Sequence, residues 1–566
     1  MTAPLTGRRV AGLATAGAVT MFLIQPPADL WPLAWLAPLP WLALIRAEAL
    51  PAGWVRVAWA AGLVHWLATI HWLRLPHPAT AIGWVALSAY LAIYLPLFLW
   101  LARRLVHGRS WPLVPAATLA WIVCEQLRSS LLGGFTFAGL GHTQWRWTTL
   151  IQVADTAGAI GVSGLVMAGA AAIATLLPGS LLASSGRTAR REQVASLATA
   201  ALLVAGALAY GSWRLATVPP PVEQPLEVLL VQGSIDTELK HDPEAAGDVL
   251  LEYDTLTIEG LAADAAAGRP DLVVWPETMW RWGLIEIDPA EMLDEAVVAH
   301  TLPADAPPAD PVVRQAQARA ALEAERLELL GRYARRYGTH WLVGLDKQRI
   351  TPRAAGGAEH FNCALFLDEA GAVLGCYEKM HPVMFGEYVP LADRFPWLYR
   401  LTPLPAGLTA GREPVAVEIA GRQVAANICY ETALPEAVRS LVMTLDRRGQ
   451  RPDVIVNLTN DGWFWGSSEL DMHLTAAIFR AIEVRTPLVI AANTGFSASI
   501  DGSGRLLARG PRRATATLRV AVQPDGRPSL WLAAGSVPLW VCVAVAAALA
   551  VTGPPPCTGR RPSPTI

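Results

Sequence analysis

The stretch "VAANICYE", Val424–Glu431, decides how the second half of this chain folds. A largely apolar run ends abruptly in a cysteine, a tyrosine and a glutamate. Short runs of this kind suit strands buried on both faces of a sheet. Five more have the same character: "LEVLLVQGSI" (226–235), "DLVVWPET" (271–278), "HWLVGLDK" (340–347), "DVIVNLTND" (453–461) and "PLVIAANTG" (487–495). Helical patterns lie between some of them, over 244–267, 311–337 and 469–485, and "HFNCALFLDEAGAVLGCYEK" (360–379) reads as a hairpin turning at Glu369–Gly371. Strands alternating with helices predict a layered α/β domain, whose chemistry gathers at the carboxyl ends of the strands.

Three polar residues occupy such ends: Glu277 closes "LVVWPE", Lys379 follows "VLGCYE", and Cys429 closes "VAANIC". Singly, each has a bland explanation. A strand-end Glu or Lys is commonly a solvated edge residue, and a lone Cys in an apolar run is commonly a small core hydrophobe. Together they are the parts of a thiol nucleophile. A thiol needs a base or a nearby cation to react; a carboxylate can take its proton, and an ammonium can stabilise the oxyanion of a tetrahedral intermediate. The six cysteines form neither a CxxC nor a Cys/His cluster with zinc spacing, so no structural metal is expected; no cofactor is expected either.

The chain is too apolar for an ordinary soluble enzyme: of 566 residues, 53% are hydrophobic and only 16% charged. A net charge of −2 without a long basic block argues against nucleic acid as a partner. The apolar residues concentrate in spans near 9–26, 30–46, 53–73, 80–102, 111–127, 157–178, 194–213 and 531–552. Each approaches the ~20 residues with which a helix crosses a bilayer. Arg8 and Arg9 precede the first span with no clear small-residue cleavage site after it, which fits an uncleaved anchor. Arginines cluster in alternate loops, at Arg46 and Arg56, at Arg103, Arg104 and Arg109, and at Arg187, Arg190 and Arg191. That asymmetry predicts cytoplasmic termini and places the segment after span seven outside, in the periplasm of a Gram-negative inner membrane. The division expected is 1–218 (about seven spans), 219–526 (an extramembrane catalytic domain) and 527–566 (a last span and a cytoplasmic tail).

At "VVWPET", "YEKMHPVMFGEYVP", "NICYE", "NLTNDGWF" and "HLTAAIFRAIEVRTPLVIAANTGFSASIDGSGR" the sequence resembles the nitrilase superfamily, over about 225–515. The multi-span first part, with "FAGLGHTQW" before span six, and the closing apolar span extend the likeness to that superfamily's membrane branch, the apolipoprotein N-acyltransferase family. The resemblance implies a polytopic α-helical membrane bundle carrying an αββα sandwich. It implies ping-pong transfer of an acyl chain from a phospholipid, typically phosphatidylethanolamine, through a cysteine thioester to the N-terminal amine of a diacylglyceryl-cysteine apolipoprotein. By matching motif, Cys429 is the nucleophile, Glu277 the general base and Lys379 the oxyanion stabiliser. Glu387, Tyr430 and Glu431 are supporting residues, with the Tyr430 N–H completing the oxyanion hole. The chain departs from the family's usual "VPFGE" at Met384 and from its usual "KW" pair at Lys240–His241.

Two stretches, "MWRWGLIEI" (279–287) and "RFPWLYRLTPLPAGL" (394–408), are aromatic, apolar and loop-like. Trp280, Trp282, Trp397 and Leu398 within them are candidate lipid-access residues, since lipid substrates need a site beside the bilayer. The segment 282–326 is longer than the family leads one to expect. Two other readings weigh less: a membrane-anchored amidase of the same superfamily acting on a small C–N substrate would need no array of spans or apolar loops, and a non-catalytic membrane scaffold would not need Glu277, Lys379 and Cys429 in that order.

Overall fold

The computed structural model describes residues 5–178, 190–236, 244–263, 268–302, 310–352, 357–392, 394–401 and 407–552. Lys240–His241, Arg187, and parts of the stretches 282–326 and 394–408 lie outside them.

The second half of the chain forms two six-stranded sheets. The strands are β1 (Leu226–Gln232), β2 (Leu272–Ile287), β3 (His340–Ile350), β4 (Ala358–Leu367), β5 (Val373–Glu378), β6 (Ala416–Ile419), β7 (Arg422–Ile428), β8 (Val454–Thr459), β9 (Leu488–Ala492), β10 (Ala498–Ile500), β11 (Leu506–Arg509) and β12 (Ala516–Val522). One sheet runs β12-β1-β2-β3-β4-β5 and the other β11-β10-β9-β8-β7-β6. Each has a parallel centre, β1-β2-β3 or β7-β8-β9, and antiparallel margins. The sheets pack face to face through Val228, Leu230, Val274 and Leu342 on one side and Val424, Ala426, Val456 and Val489 on the other. Helices Ala246–Ala263 and Pro311–Tyr337 cover the outer face of the first sheet, and helices Pro435–Arg447 and Glu469–Val484 that of the second. The result is the four-layer α-β-β-α sandwich implied above.

Local sequence explains the elements. The central strands β8 and β9 are buried along their whole length, so both faces are apolar and no alternation appears. Helix Pro311–Tyr337 starts where the Asp310 side chain accepts from the Val312 N–H and Pro311 needs no donor, and it stops at Gly338, which takes φ +62°. The β4–β5 hairpin turns at Asp368–Gly371, where the Asp368 side chain accepts from the Ala372 N–H at 2.7 Å.

One expectation is corrected here. Residues 279–287 are strand, the second half of β2, which follows β3 through register shifts either side of Trp280. Trp280 is 1% exposed and sits in the aromatic core with Trp341 and Tyr333, while half-buried Trp282 packs on Trp280 with ring centroids 5.3 Å apart. Trp280, Trp282 and Leu284 alternate with Arg281 and Gly283, a period of two that marks a strand. A packed core position cannot serve as an access loop.

The first half is helical: Gly7–Leu23, Leu39–Arg46, Trp54–Thr69, Thr80–Leu91, Tyr94–Arg109, Leu113–Ser130, Ala154–Ala174 and Arg190–Ala216, with Val537–Val551 after β12. Among the described residues, three helical stretches are long and apolar enough to cross a membrane: Thr80–Arg109, which takes Thr80–Leu91 and Tyr94–Arg109 together, Ala154–Ala174 and Arg190–Ala216. The expected span at 30–46 is instead a 3-10 turn, Trp31–Trp35, and a helix of 8 residues. At about 1.5 Å per residue that helix reaches only ~12 Å. Pro32, Pro38 and Pro40 are the cause, because proline is accommodated only at helix starts.

The two halves meet through buried polar contacts. Asp155 pairs with Arg214 at 2.7 Å and accepts from Arg485 Nε at 3.0 Å and from the Tyr210 hydroxyl at 2.6 Å. Glu483 accepts from the Ala159 N–H at 2.9 Å and pairs with Arg480 at 2.6 Å. Helix Glu469–Val484 is buried at every residue but Asp471 between the second sheet and the helical half, which explains why apolar residues occupy most sides of "HLTAAIFRAIEV" and why its His473, Arg480 and Glu483 are paired. "FAGLGHTQW" packs against it, with the His142 and Phe479 rings 5.0 Å apart.

Candidate functional site

Lys379 and Cys429 arrive from strand ends, whereas Glu277, expected to close a strand, lies inside β2, where pairing with β3 is interrupted between Trp275 and Trp280. β2 carries Glu277, Lys379 directly follows β5, and Cys429 directly follows β7. Cys429 opens a 3-10 helix, Cys429–Ala433, and holds φ +52°. A side chain there costs of order 1–2 kcal/mol, and the sharp turn lifts the thiol off the end of the strand.

The charged groups form a chain, buried at Glu277 and Lys379 and half-buried at Glu387. Lys379 Nζ donates to Glu387 Oε1 at 2.6 Å and lies 3.4 Å from Glu277 Oε1. Asn362 Nδ2 donates to the same Glu277 oxygen at 2.6 Å, and the Asn460 N–H donates to the other at 2.9 Å. Lys379 is 1% and Glu277 6% exposed. Burial would lower the ammonium's pKa, but Glu387 and then Glu277 outweigh it and hold Lys379 charged well above its ordinary range. The Cys429 thiol is pushed far up, first by burial and then by Glu277, against the pull of Lys379. At rest it is a thiol, because a thiolate beside Glu277 would be a second anion in a poorly solvated space. The arrangement suits a base that removes the proton as the sulfur attacks.

Glu387 is held by the Val383 N–H, which donates to its Oε2 at 2.7 Å, and the left-handed Phe385 shapes the turn between them. Met384 occupies this turn, its methyl 3.2 Å from where a Cβ on Gly133 of the helical half would stand. Glu431 is 1% exposed and acts as a clamp. Its two oxygens accept from the Met380 and His381 N–H groups at 2.8 and 2.9 Å, the Ile428 N–H at 2.7 Å and the Tyr377 hydroxyl at 2.8 Å. Burial opposes its ionisation, but His381 and the Ile428 N–H win and lower its pKa. Glu431 thereby ties the strand before the cysteine to the loop after the lysine. The Tyr430 hydroxyl donates to the Gly134 carbonyl at 2.9 Å and its ring packs on Phe137, so the residue beside Cys429 is anchored in the helical half.

Trp397 and Leu398 lie on the 3-10 helix Pro396–Leu401, ten residues beyond Glu387. Trp397 is 55% exposed, and Phe385, Leu391 and Phe395 are also exposed, an apolar surface on the segment that carries Glu387. Trp280 and Trp282 are not part of it.

Sequence reading passed over three supporting side chains. Asn362 orients Glu277; Asn457 Nδ2 donates to the Cys429 carbonyl at 3.2 Å; His473 Nε2 contacts the same carbonyl at 3.2 Å while its Nδ1 contacts Asp461 Oδ1 at 3.3 Å. Asn362 and Asn457 are polar residues inside apolar strands, and that was the available signal. Asn493 of "NTG" donates to Asn460 Oδ1 at 2.9 Å, so it supports the loop that holds Glu277. Asp461, Glu469 and His473 are buried with oxygen and nitrogen atoms within 4.8 Å of one another. Both ring nitrogens of His473 face acceptors, so the cation among these groups is the imidazolium itself. Burial would lower its pKa, but Asp461 raises it to about 9.

Comparison with known proteins agrees at both ends of the chain. Residues 17–172 match the apolipoprotein N-acyltransferase N-terminal domain, and residues 243–528 match the carbon-nitrogen hydrolase family. An apolipoprotein N-acyltransferase of Geobacter metallireducens is 30% identical over 553 residues, covering 95% of this chain and 94% of that protein. One of Rhodopirellula baltica is 29% identical over 555 residues, covering 94% and 95%. Among solved structures, an amidase from Nesterenkonia sp. AN1 is 19% identical with a TM-score of 0.33, covering 56% of this chain and 98% of that one.

Proposed function

The chain belongs to the apolipoprotein N-acyltransferase family, and from that premise we propose how its residues carry out the transfer. The enzyme moves an acyl chain from a phospholipid to the N-terminal amine of an apolipoprotein. In our reading Glu277 takes the Cys429 proton as the sulfur attacks the sn-1 ester carbonyl of the donor, probed first with phosphatidylethanolamine. The oxyanion that forms faces Lys379 Nζ and the Tyr430 N–H. Collapse breaks the ester C–O bond, and Glu277 returns the proton to the departing lysophospholipid oxygen. The thioester remains. The amine of the diacylglyceryl-cysteine then attacks, Glu277 removes its proton, and Cys429 leaves as a thiolate that is reprotonated. Glu387 neutralises Lys379, and Glu431 keeps the cysteine and lysine loops in register.

The observation that carries this reading is the Asn362–Glu277–Lys379–Glu387 chain, buried up to its half-buried last member, at the foot of a cysteine with a left-handed backbone. It is tested by the intact mass of enzyme incubated with phospholipid alone. An acyl adduct on the wild type that acceptor discharges, and none on Cys429→Ala, is expected. An adduct on Cys429→Ala, or amide hydrolysis without any adduct, overturns it.

We place the spans of residues 1–218 and the last span of 527–566 in the inner membrane, the tail after it in the cytoplasm and 219–526 in the periplasm. Supporting this, apolar side chains face outward from the helices: Ile82 is 77%, Leu202 73% and Val541 55% exposed, a surface suited to lipid and costly in water. The arginine asymmetry points the same way. Alkaline-phosphatase fusions near Val218 should be active and fusions after Arg104 inactive; the reverse pattern removes this topology.

A further inference from the structure

The carbonyl of Cys429 has two lone pairs, and two side chains address it: Asn457 Nδ2 and His473 Nε2, each at 3.2 Å. In a trans peptide the C=O and the following N–H point to opposite sides. Holding the Cys429 carbonyl from below therefore fixes where the Tyr430 N–H points. That N–H stands in the first turn of the helix Cys429–Ala433, where amides have no partner within the helix. The restraint matters here because Cys429 sits in the left-handed region, φ +52°, a conformation its own side chain disfavours. The donor is itself held. His473 is 3% exposed, in the helix Glu469–Val484, and its other nitrogen meets Asp461 Oδ1, which also accepts from the Thr459 hydroxyl at 2.7 Å.

We propose that His473 is a positioning residue: by donating one ring N–H to the Cys429 carbonyl and the other to Asp461, it aims the Tyr430 N–H at the acyl oxygen. This rests on the assignment of Cys429 and the Tyr430 N–H given above. It makes a distinction that simple packing does not. Attack on an acyl carbonyl builds charge on oxygen and needs the aimed N–H. Alkylation of the same sulfur by iodoacetamide displaces iodide, builds no oxyanion, and does not need it.

Two amides separate the ring's two bonds. Glutamine places its N–H₂ near the Nε2 position and keeps the donor to Cys429; asparagine places its N–H₂ near Nδ1 and keeps only the bond to Asp461. His473→Asn should slow thioester formation from phospholipid by about 10²-fold at saturating donor, the effect of losing one oxyanion donor, with KM unchanged. His473→Gln should recover most of that rate. Alkylation of Cys429 by iodoacetamide, followed by peptide mass, should be unaffected in both. If Asn matches or exceeds Gln, or if alkylation falls in step with acylation, His473 is a packing residue and the proposal fails. A parallel Cys429→Ala control keeps the two readings apart: a surviving acyl-enzyme there sinks the site assignment, whereas a dead control beside equal Asn and Gln rates sinks only the role of His473.

Discussion

Glu277 stands in the interrupted stretch of β2 and Cys429 just past the end of β7, one in each sheet, whereas the described residues from Phe385 to Leu401 cross the same site on turns and a short 3-10 helix. The strand-borne groups are fixed from several sides. Glu277 accepts from Asn362 and Asn460, and the Cys429 carbonyl meets Asn457 and His473. The crossing segment instead shows Phe385 60%, Leu391 68% and Trp397 55% exposed. A transition state needs donors aimed in advance, which only rigid supports provide. Admitting a lipid tail needs a surface that can part, which belongs to segments with few buried contacts. Lys379 and Glu387 join the two regions, since the lysine follows β5 and the glutamate lies in the crossing segment.

The largest effects should come from the fixed region. Glu277→Gln should lower the rate of thioester formation by about 10²–10⁴, because an amide cannot take the thiol proton. Lys379→Met should cost about 10²–10³ through the missing oxyanion partner. It should also lower the melting temperature, because buried Glu277 is left without a cation and half-buried Glu387 loses its partner, a loss of up to about 3–5 kcal/mol for a broken buried pair. Single-turnover rates with phospholipid and no acceptor measure both. A variant that forms the thioester at the normal rate and stalls only with acceptor would move its residue out of the first half-reaction.

The same contrast governs what was legible in the sequence. The central strands and the Glu–Lys–Cys set could be read because a strand buried on both faces leaves a continuous apolar run closed by a polar residue, which marks the end of β7 at Cys429 but falls inside β2 at Glu277. Residues 279–287 misled because tryptophan suits both a membrane interface and a core. Only the alternation of Trp280, Trp282 and Leu284 separates the two. The margins β6, β11 and β12 were not read, since half-exposed short strands carry weak patterns, and β10 was not read because its three buried residues are too few to show one. The clamp on the Cys429 carbonyl was out of reach. It joins residues 28 and 44 positions apart in the chain, and spacing does not encode such contacts.

An intermediate effect is expected from the crossing segment. Replacing Trp397 and Leu398 together with serine should slow acylation by bilayer phospholipid about tenfold, the scale of removing an apolar contact of 1–2 kcal/mol. It should leave iodoacetamide labelling of Cys429 and the melting temperature unchanged. Phospholipid dispersed as short-chain monomers should narrow the deficit. A joint fall in all three measurements would mean that these side chains pack the domain as Trp280 does, and the contrast between the two regions would fail there.

The smallest effect is a stability titration. His473 has its pKa raised from 6.5 to about 9, with burial opposing and Asp461 prevailing. A group whose folded pKa is raised lends its stability fully below the unfolded value and loses it as pH climbs through the folded one. The contribution of His473 is therefore complete below pH 6.5 and lost as pH rises through about 9. Two neighbours titrate around it. Glu469, pushed up mainly by burial and then by Asp461, begins to cost stability above its ordinary 4.5, and the Cys429 thiol does so only above its ordinary 9.0. Measuring the wild type against His473→Gln across this range cancels much of the background. The wild type should lose a few °C of melting temperature more than the variant, since about 1 kcal/mol moves a domain of this size by roughly 2–4 °C. Parallel curves would show that the ring is not charged in the folded protein. The Cys429 carbonyl would then be held by a neutral donor, and the fixed region would lose the ionic anchor that sets it apart from the segment crossing it.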